Sequence, residues 1–284
     1  MRADRVLTAS WKLTAGRWIT SLICAALLLA SLCRTACAAE NLLDTSHAEE
    51  GYITVLGSLS PLARAEVTSP DGQVTPYPLP LGRDAVLPLC GGQGAYRVTV
   101  FEETPILQFA AVASRTFSRV SADELAPFLI PSLYVNYSKD SECAKKAQEL
   151  FISAGEDRAS FIDAVYDYII SNITYDEDFA SEVPSDYLPD PDKTLLSGRG
   201  ICLDYASLMA AMLRSCGVPA RLITGNFGAY YHAWVSATED IPADRTVRSA
   251  VWKVFDPTLG ASNSTDEVMR RIKRGTDYIA KHVM

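Results

Sequence analysis

Hydrophobic and polar residues alternate with a period of two through residues 50 to about 120. Tyr52-Ile-Thr-Val-Leu56 alternates, Ala65-Glu-Val-Thr68 follows, and Asp71-Gly72 is a turn signal between two such runs. Ala85-Val-Leu-Pro-Leu89 comes next, then glycines at 91, 92 and 94, then Tyr96-Arg-Val-Thr-Val-Phe101 and an extended stretch from Leu107 to Val120. Five or six short strands separated by turns predict a small β-sandwich. This region has no histidine and a single cysteine, Cys90, so it offers packing or binding rather than chemistry.

The period then changes. Ser141 can cap a helix running through Phe151, with Ala144, Ala147, Leu150 and Phe151 on one side. Asp157 can cap a second, in which Phe161, Val165, Tyr168 and Ile169 recur at helical spacing. Residues 176 to 192 are acidic and contain prolines, and read as a solvated loop; their carboxylates lack the spacing of a calcium loop. Gly198-Arg-Gly200 opens a long helix from about Ile201 to Cys216, ended by Gly217 and Pro219. Three strand-like runs follow, Arg221-Thr224, His232-Ser236 and Val251-Phe255. Ser264 to Glu267 forms a capping box for a last amphipathic helix containing Val268, Ile272 and Ile279.

The N-terminus does not belong to this pattern. Arg2, Arg5, Lys12 and Arg17 precede an uncharged run of 15 residues, Trp18 to Leu32, and Ala36-Cys37-Ala38 supplies small residues for cleavage. The run is shorter than the ~20 residues that span a bilayer, so residues 1–39 read as a secretory signal peptide cut after Ala38. The alternatives are an uncleaved membrane anchor or a lipid anchor at Cys33 or Cys37. The expected location is therefore secreted or extracytoplasmic, at the cell surface, with membrane contact only through an uncleaved leader. The net charge of −8 excludes nucleic acid as a main partner.

Four cysteines remain beyond the leader: Cys90, Cys143, Cys202 and Cys216. Cys202 and Cys216 sit at opposite ends of one predicted helix, roughly 21 Å apart and beyond disulfide reach. A Cys90–Cys143 bridge is the one pairing that leaves Cys202 free, and is expected on that ground.

Cys202 follows Gly200-Ile201 at a helix start, where unpaired amides and the helix dipole favour a thiolate. His232 begins an alternating apolar run, while His47 lies just past the leader and His282 close to the last residue, both expected to be exposed or disordered. Asp256 closes the run Val251-Trp-Lys-Val-Phe255 before Pro257, where a carboxylate needs a partner. Taken alone, Cys202 is as much at home as a buried helical cysteine, and His232 and Asp256 are more at home as a strand histidine and a turn-starting aspartate. Together they form the Cys–His–carboxylate order of covalent acyl chemistry: nucleophile, base and orienting group.

Four blocks, Gly198-Arg-Gly-Ile-Cys-Leu-Asp-Tyr-Ala206, Leu213-Arg-Ser-Cys-Gly-Val-Pro-Ala-Arg221, His232-Ala-Trp234 and Trp252-Lys-Val-Phe-Asp-Pro-Thr258, resemble the transglutaminase-like superfamily over roughly residues 145 to 262. The resemblance implies an α+β chain: a papain-like transglutaminase core, with the cysteine-bearing helix on an antiparallel sheet, over residues 135–284. A small β-sandwich-like domain at 40–125 would precede it. It implies Cys202, His232 and Asp256 as catalytic residues, a structural Arg221, Trp234 packed beside the site, and Tyr187 as an added oxyanion donor. The expected function is an exported cysteine-dependent acyl-transfer enzyme, a peptidase, amidase or transglutaminase. It would act on amide bonds of protein or cell-wall peptide through a thioester, with no cofactor and no metal. The competing expectation is a non-catalytic surface binding or scaffold module on the same fold. A zinc site built from the same three residues is a third, and mixed, scattered ligands suit it poorly.

Overall fold

The structure, a computed structural model, describes residues 42–57, 60–103, 108–262 and 278–284. The expected leader, and most of the last expected helix, lie outside these residues. From Leu43 to Met284 the described residues form one compact unit. None of their helices is long and apolar enough to cross a membrane.

The N-terminal half is β-structure. One sheet joins β1 (Leu43–Asp44), β2 (Tyr52–Val55) and β5 (Ala85–Pro88) in the order β1-β2-β5. A second joins β3 (Arg64–Thr68), β4 (Val74–Pro78), β6 (Gly94–Glu103) and β7 (Phe109–Arg119) in the order β4-β3-β6-β7. All pairs are antiparallel, and the period-two pattern is visible in burial: Ile53 and Val55, Ala65 and Val67, and Tyr96, Val98 and Val100 point inward.

The second half wraps helices around one central helix. These are α1 (Glu142–Ser153), α2 (Arg158–Asn172), α3 (Glu177–Glu182), α4 (Pro191–Ser197), α5 (Cys202–Ser215) and α6 (Pro257–Ser262). Helix α5 is buried on every side from Asp204 through Arg214. Its small residues Ala206, Ser207, Ala210 and Ala211 let α1, α4 and the sheet approach closely, so it is a core helix rather than a surface helix with one apolar stripe. The sheet against it has the order β12-β11-β10-β13, from β10 (Ala220–Phe227), β11 (Tyr230–Ala237), β12 (Lys253–Phe255) and β13 (Tyr278–Val283). All its pairs are antiparallel.

Two arginines tie this half together. Arg214 is buried and donates to the carbonyls of Ile130, Ala220 and Met284 at 2.9–3.0 Å. Desolvation holds its pKa down to about 10. Arg221 stacks its guanidinium 3.5 Å from the centre of the Trp252 ring and 4.9 Å from that of Phe128. That is a structural position.

Four expectations are corrected. Residues 176–192 are not one loop: Asp176 caps α3 by accepting from the Phe179 amide, and Asp190 caps α4 by accepting from the Lys193 amide, with Pro191 in the first turn. Ile279 belongs to a strand, β13, and not to a helix. His282 is a partly buried residue of that strand. The Cys90–Cys143 bridge is not formed, since all four cysteines are free thiols. Cys90 is half-buried in the turn after β5, where desolvation raises its pKa to about 12, and Cys143 is buried in the first turn of α1.

Candidate active site

The chain reaches Cys202 through a tight approach. Short strand β8 (Thr174–Tyr175) pairs in parallel with β9 (Arg199–Gly200), which fixes the segment before α5. Gly198 ends α4 in the left-handed region, at φ 63°. Gly200 is required for a different reason: a Cβ there would stand 2.6 Å from the Asp204 Cβ. The Asp204 side chain folds back over that space and accepts from the Ile201 amide at 2.9 Å. Its other oxygen accepts from the Tyr187 hydroxyl at 2.7 Å. Desolvation raises the Asp204 pKa, against the pull of these two donors. The single proton of Tyr187 is thus committed to Asp204. The hydroxyl lines the cleft but is spent on holding the helix start, which removes the ground for reading it as an oxyanion donor. The Asp204 amide donates to the Ile201 carbonyl at 2.9 Å, so that capacity rests with the Cys202 and Leu203 amides of the first turn of α5.

His232 lies on β11 and Asp256 at the end of β12, and these strands are hydrogen-bonded neighbours. His232 Nε2 is 2.8 Å from Asp256 Oδ2, with side-chain exposures of 11% and 0%. Nδ1 is left to face the thiol. Burial alone would lower the His232 pKa, but hydrogen bonds and charge interactions with Asp256 and Cys202 raise it to about 9. The ring is therefore cationic at neutral pH. Trp234 stacks beside it, 6.3 Å between ring centres.

The buried Asp256 carboxylate is fully engaged. Oδ1 accepts from the Leu259 amide at 3.0 Å and so starts α6, as an aspartate before proline commonly does. Oδ2 accepts from His232 and from the Tyr278 hydroxyl, the latter at 2.7 Å. Tyr278 is a site residue that sequence reasoning missed. It sits on the strand mistaken for a helix, and only an alternation reading of residues 278–283 could have placed it.

Cys202 and His232 share a cleft of about 440 Å³ whose walls include Tyr134, Tyr175, Tyr187 and Val183. Pro76 reaches it from the β-rich half. Among the described residues no group of three or more His, Cys, Asp or Glu side chains forms a metal-binding arrangement. What the arrangement offers is a thiol at a helix start beside an imidazolium fixed by a buried carboxylate.

Residues 145–257 match the family model described as the transglutaminase-like superfamily. The fold is similar to solved structures of low identity. One is a protein of Cytophaga hutchinsonii provisionally described as a cysteine protease, 17% identical, with 73% of this chain and 72% of that one covered and a TM-score of 0.37. Another is the periplasmic domain of TgpA from Pseudomonas aeruginosa, 15% identical over 78% and 73%, also with a TM-score of 0.37. Red sea bream transglutaminase is 17% identical over 73% and 48%, with a TM-score of 0.28. A search of curated proteins returns no match.

Proposed function

We propose that the chain is an exported cysteine-dependent acyl-transfer enzyme acting on amide bonds of protein or cell-wall peptide. The observation that carries the reading is the 2.8 Å contact between His232 and the wholly buried Asp256, in a cleft shared with Cys202. A buried carboxylate holding a cationic imidazole beside a helix-start thiol is what covalent acyl chemistry requires. The basic, uncharged and small-residue order of the first 39 residues supports export.

In the reaction, Cys202 Sγ attacks the amide carbonyl carbon, and the developing oxyanion meets the first-turn amides of α5. The C–N bond breaks, the leaving amine takes the proton from His232, and a thioester with Cys202 remains. Water or a second amine, losing its proton to His232, then attacks the thioester and releases the thiol. Asp256 holds the ring in the tautomer that presents Nδ1 to sulfur.

The test is the pH dependence of iodoacetamide alkylation at Cys202 in wild type and His232→Ala. Fast labelling well below the ordinary thiol pKa of ~8.5, lost in the variant, is the expected result. An ordinary titration that ignores His232, at a rate no higher than that of Cys216, would sink the reading.

A further inference from the structure

Strand β13 does not pair with β10 in one register. Tyr278, Ile279 and Ala280 lie opposite Phe227, Asn226 and Gly225, but His282 and Val283 lie opposite Thr224 and Ile223. Lys281 is the extra residue of a β-bulge. A bulge changes the face on which the following side chains emerge. In unbroken register His282 would stand opposite Ile223; with the bulge it shares the face of Thr224 and of Ala233 beyond it. Gly225 makes the bulge feasible, because a Cβ there would lie 2.1 Å from the Ile279 carbonyl oxygen.

The bulge sets the His282 ring into the cleft wall, with Cys202, His232, Thr224, Tyr231 and Ala233. Its Nδ1 is enclosed and has no hydrogen-bond partner among the described residues. An enclosed N–H without an acceptor is unfavourable, so the favoured neutral tautomer carries its proton on Nε2. Burial and the neighbouring Lys281 lower the ring's pKa, which keeps it neutral at pH 7. With Nδ1 enclosed, the distal edge of the ring with Nε2–H is what remains to meet the cleft. Next to it the Tyr231 hydroxyl already donates to Thr224 Oγ1 at 2.9 Å. The wall around it is largely aromatic and apolar, and the Nε2–H adds a donor to it.

We propose that His282 is a substrate-recognition residue, donating from the cleft wall to a backbone carbonyl of an extended peptide. The peptide's apolar side chain next to the scissile carbonyl lies against Tyr134, Tyr231 and Pro76. This rests on the acyl-transfer reading and names its substrate class: peptides with an aromatic or large aliphatic residue at the reacting carbonyl.

Three thiol-alkylating probes test it on the intact mature protein: iodoacetamide, N-acetyl-glycine chloromethyl ketone and N-acetyl-phenylalanine chloromethyl ketone. In wild type the phenylalanine probe should alkylate Cys202 at least about tenfold faster than the glycine probe, the discrimination a single apolar side chain supplies. In His282→Ala the ratio of the phenylalanine-probe rate to the iodoacetamide rate should fall about tenfold, the loss of one good hydrogen bond. His282→Gln, which keeps an N–H donor, should recover part of it. Equal rates for the two ketones in wild type, or an unchanged ratio in both variants, overturns the inference while leaving the acyl-transfer reading intact. Iodoacetamide labelling of Cys202 no faster than of Cys216 brings down both. If thermal melting shows His282→Ala to be unfolded, the wild-type ketone comparison and His282→Gln decide.

Discussion

The two edges of the sheet behind the site are built differently. At one edge β12 lies beside β11, and brings Asp256 to His232 across a single strand pair. At the other, β13 joins β10 with a bulge and supplies side chains to both faces: Tyr278 to the Asp256 carboxylate, His282 to the cleft. The first edge carries the charges that the chemistry needs. The second carries what restrains one of those charges and shapes the ground on which a substrate would lie. On the proposed reading, chemistry and recognition would be divided between two edges of one sheet.

The largest effect should come from breaking the first edge. Asp256→Ala removes the carboxylate that accepts from His232, the Tyr278 hydroxyl and the Leu259 amide. It is expected to lower kcat/KM by roughly 10³–10⁴ and to destabilise by about 3–5 kcal/mol, measured as a drop in the urea midpoint. Asp256→Asn separates the two losses: it should recover much of the stability and little of the rate.

Breaking the second edge should act on stability first. Gly225→Ala drives a methyl into the Ile279 carbonyl and is expected to cost about 3 kcal/mol. If the urea midpoint of this variant matches wild type, the bulge is not held by that glycine.

Tyr278→Phe is gentler and links the edges. The tyrosine hydroxyl draws charge from the same oxygen that holds His232. Its removal should strengthen the carboxylate's hold on the imidazolium, so the alkaline limb of the pH–rate profile moves upward while kcat/KM falls by about fivefold from poorer positioning. A purely structural tyrosine would lower stability and leave that limb in place.

A further effect is set by the raised pKa of His232. Its folded value of about 9 exceeds the ordinary 6.5, so the proton is held more tightly in the folded state. The stability this adds is complete below pH ~6.5 and is lost as pH rises through about 9. Urea midpoints of wild type should decline over that interval more than those of His232→Ala. Equal declines would mean that the pair does not contribute in this way.

The contrast between the edges is also a contrast in legibility. Cys202 and Asp256 stand at points governed by local rules, a glycine-bounded helix start and a strand closing on Asp-Pro. The elements around them could be read from residues close in sequence. Helices α3 and α4, six and seven residues long, are too short to show a period; their signs were the capping aspartates 176 and 190 and Pro191, which acidic composition concealed. Strand β13 was misread because Ile279 fits a helical spacing, yet it is 60% exposed on the strand. Its place depends on pairing with β10 across a long intervening segment, which no local pattern encodes. The four free thiols show the same limit: elimination among pairings was open to sequence reasoning, whereas only tertiary position shows Cys90 half-buried in a turn of the β-rich half and Cys143 buried in the first turn of α1.

The placement of β13 also bears on how the site comes into being. Cys202, His232 and Asp256 all precede residues 278–284 in the chain, and the contacts that β13 makes to the site span 22 residues or more. Until that last stretch is synthesised and docks, Asp256 lacks the Tyr278 donor and Arg214 lacks the Met284 carbonyl. Contacts spanning such sequence distances form late because loop closure must precede them. Completion of the site therefore waits on the docking of β13, a contact made across a long stretch of chain rather than within one element.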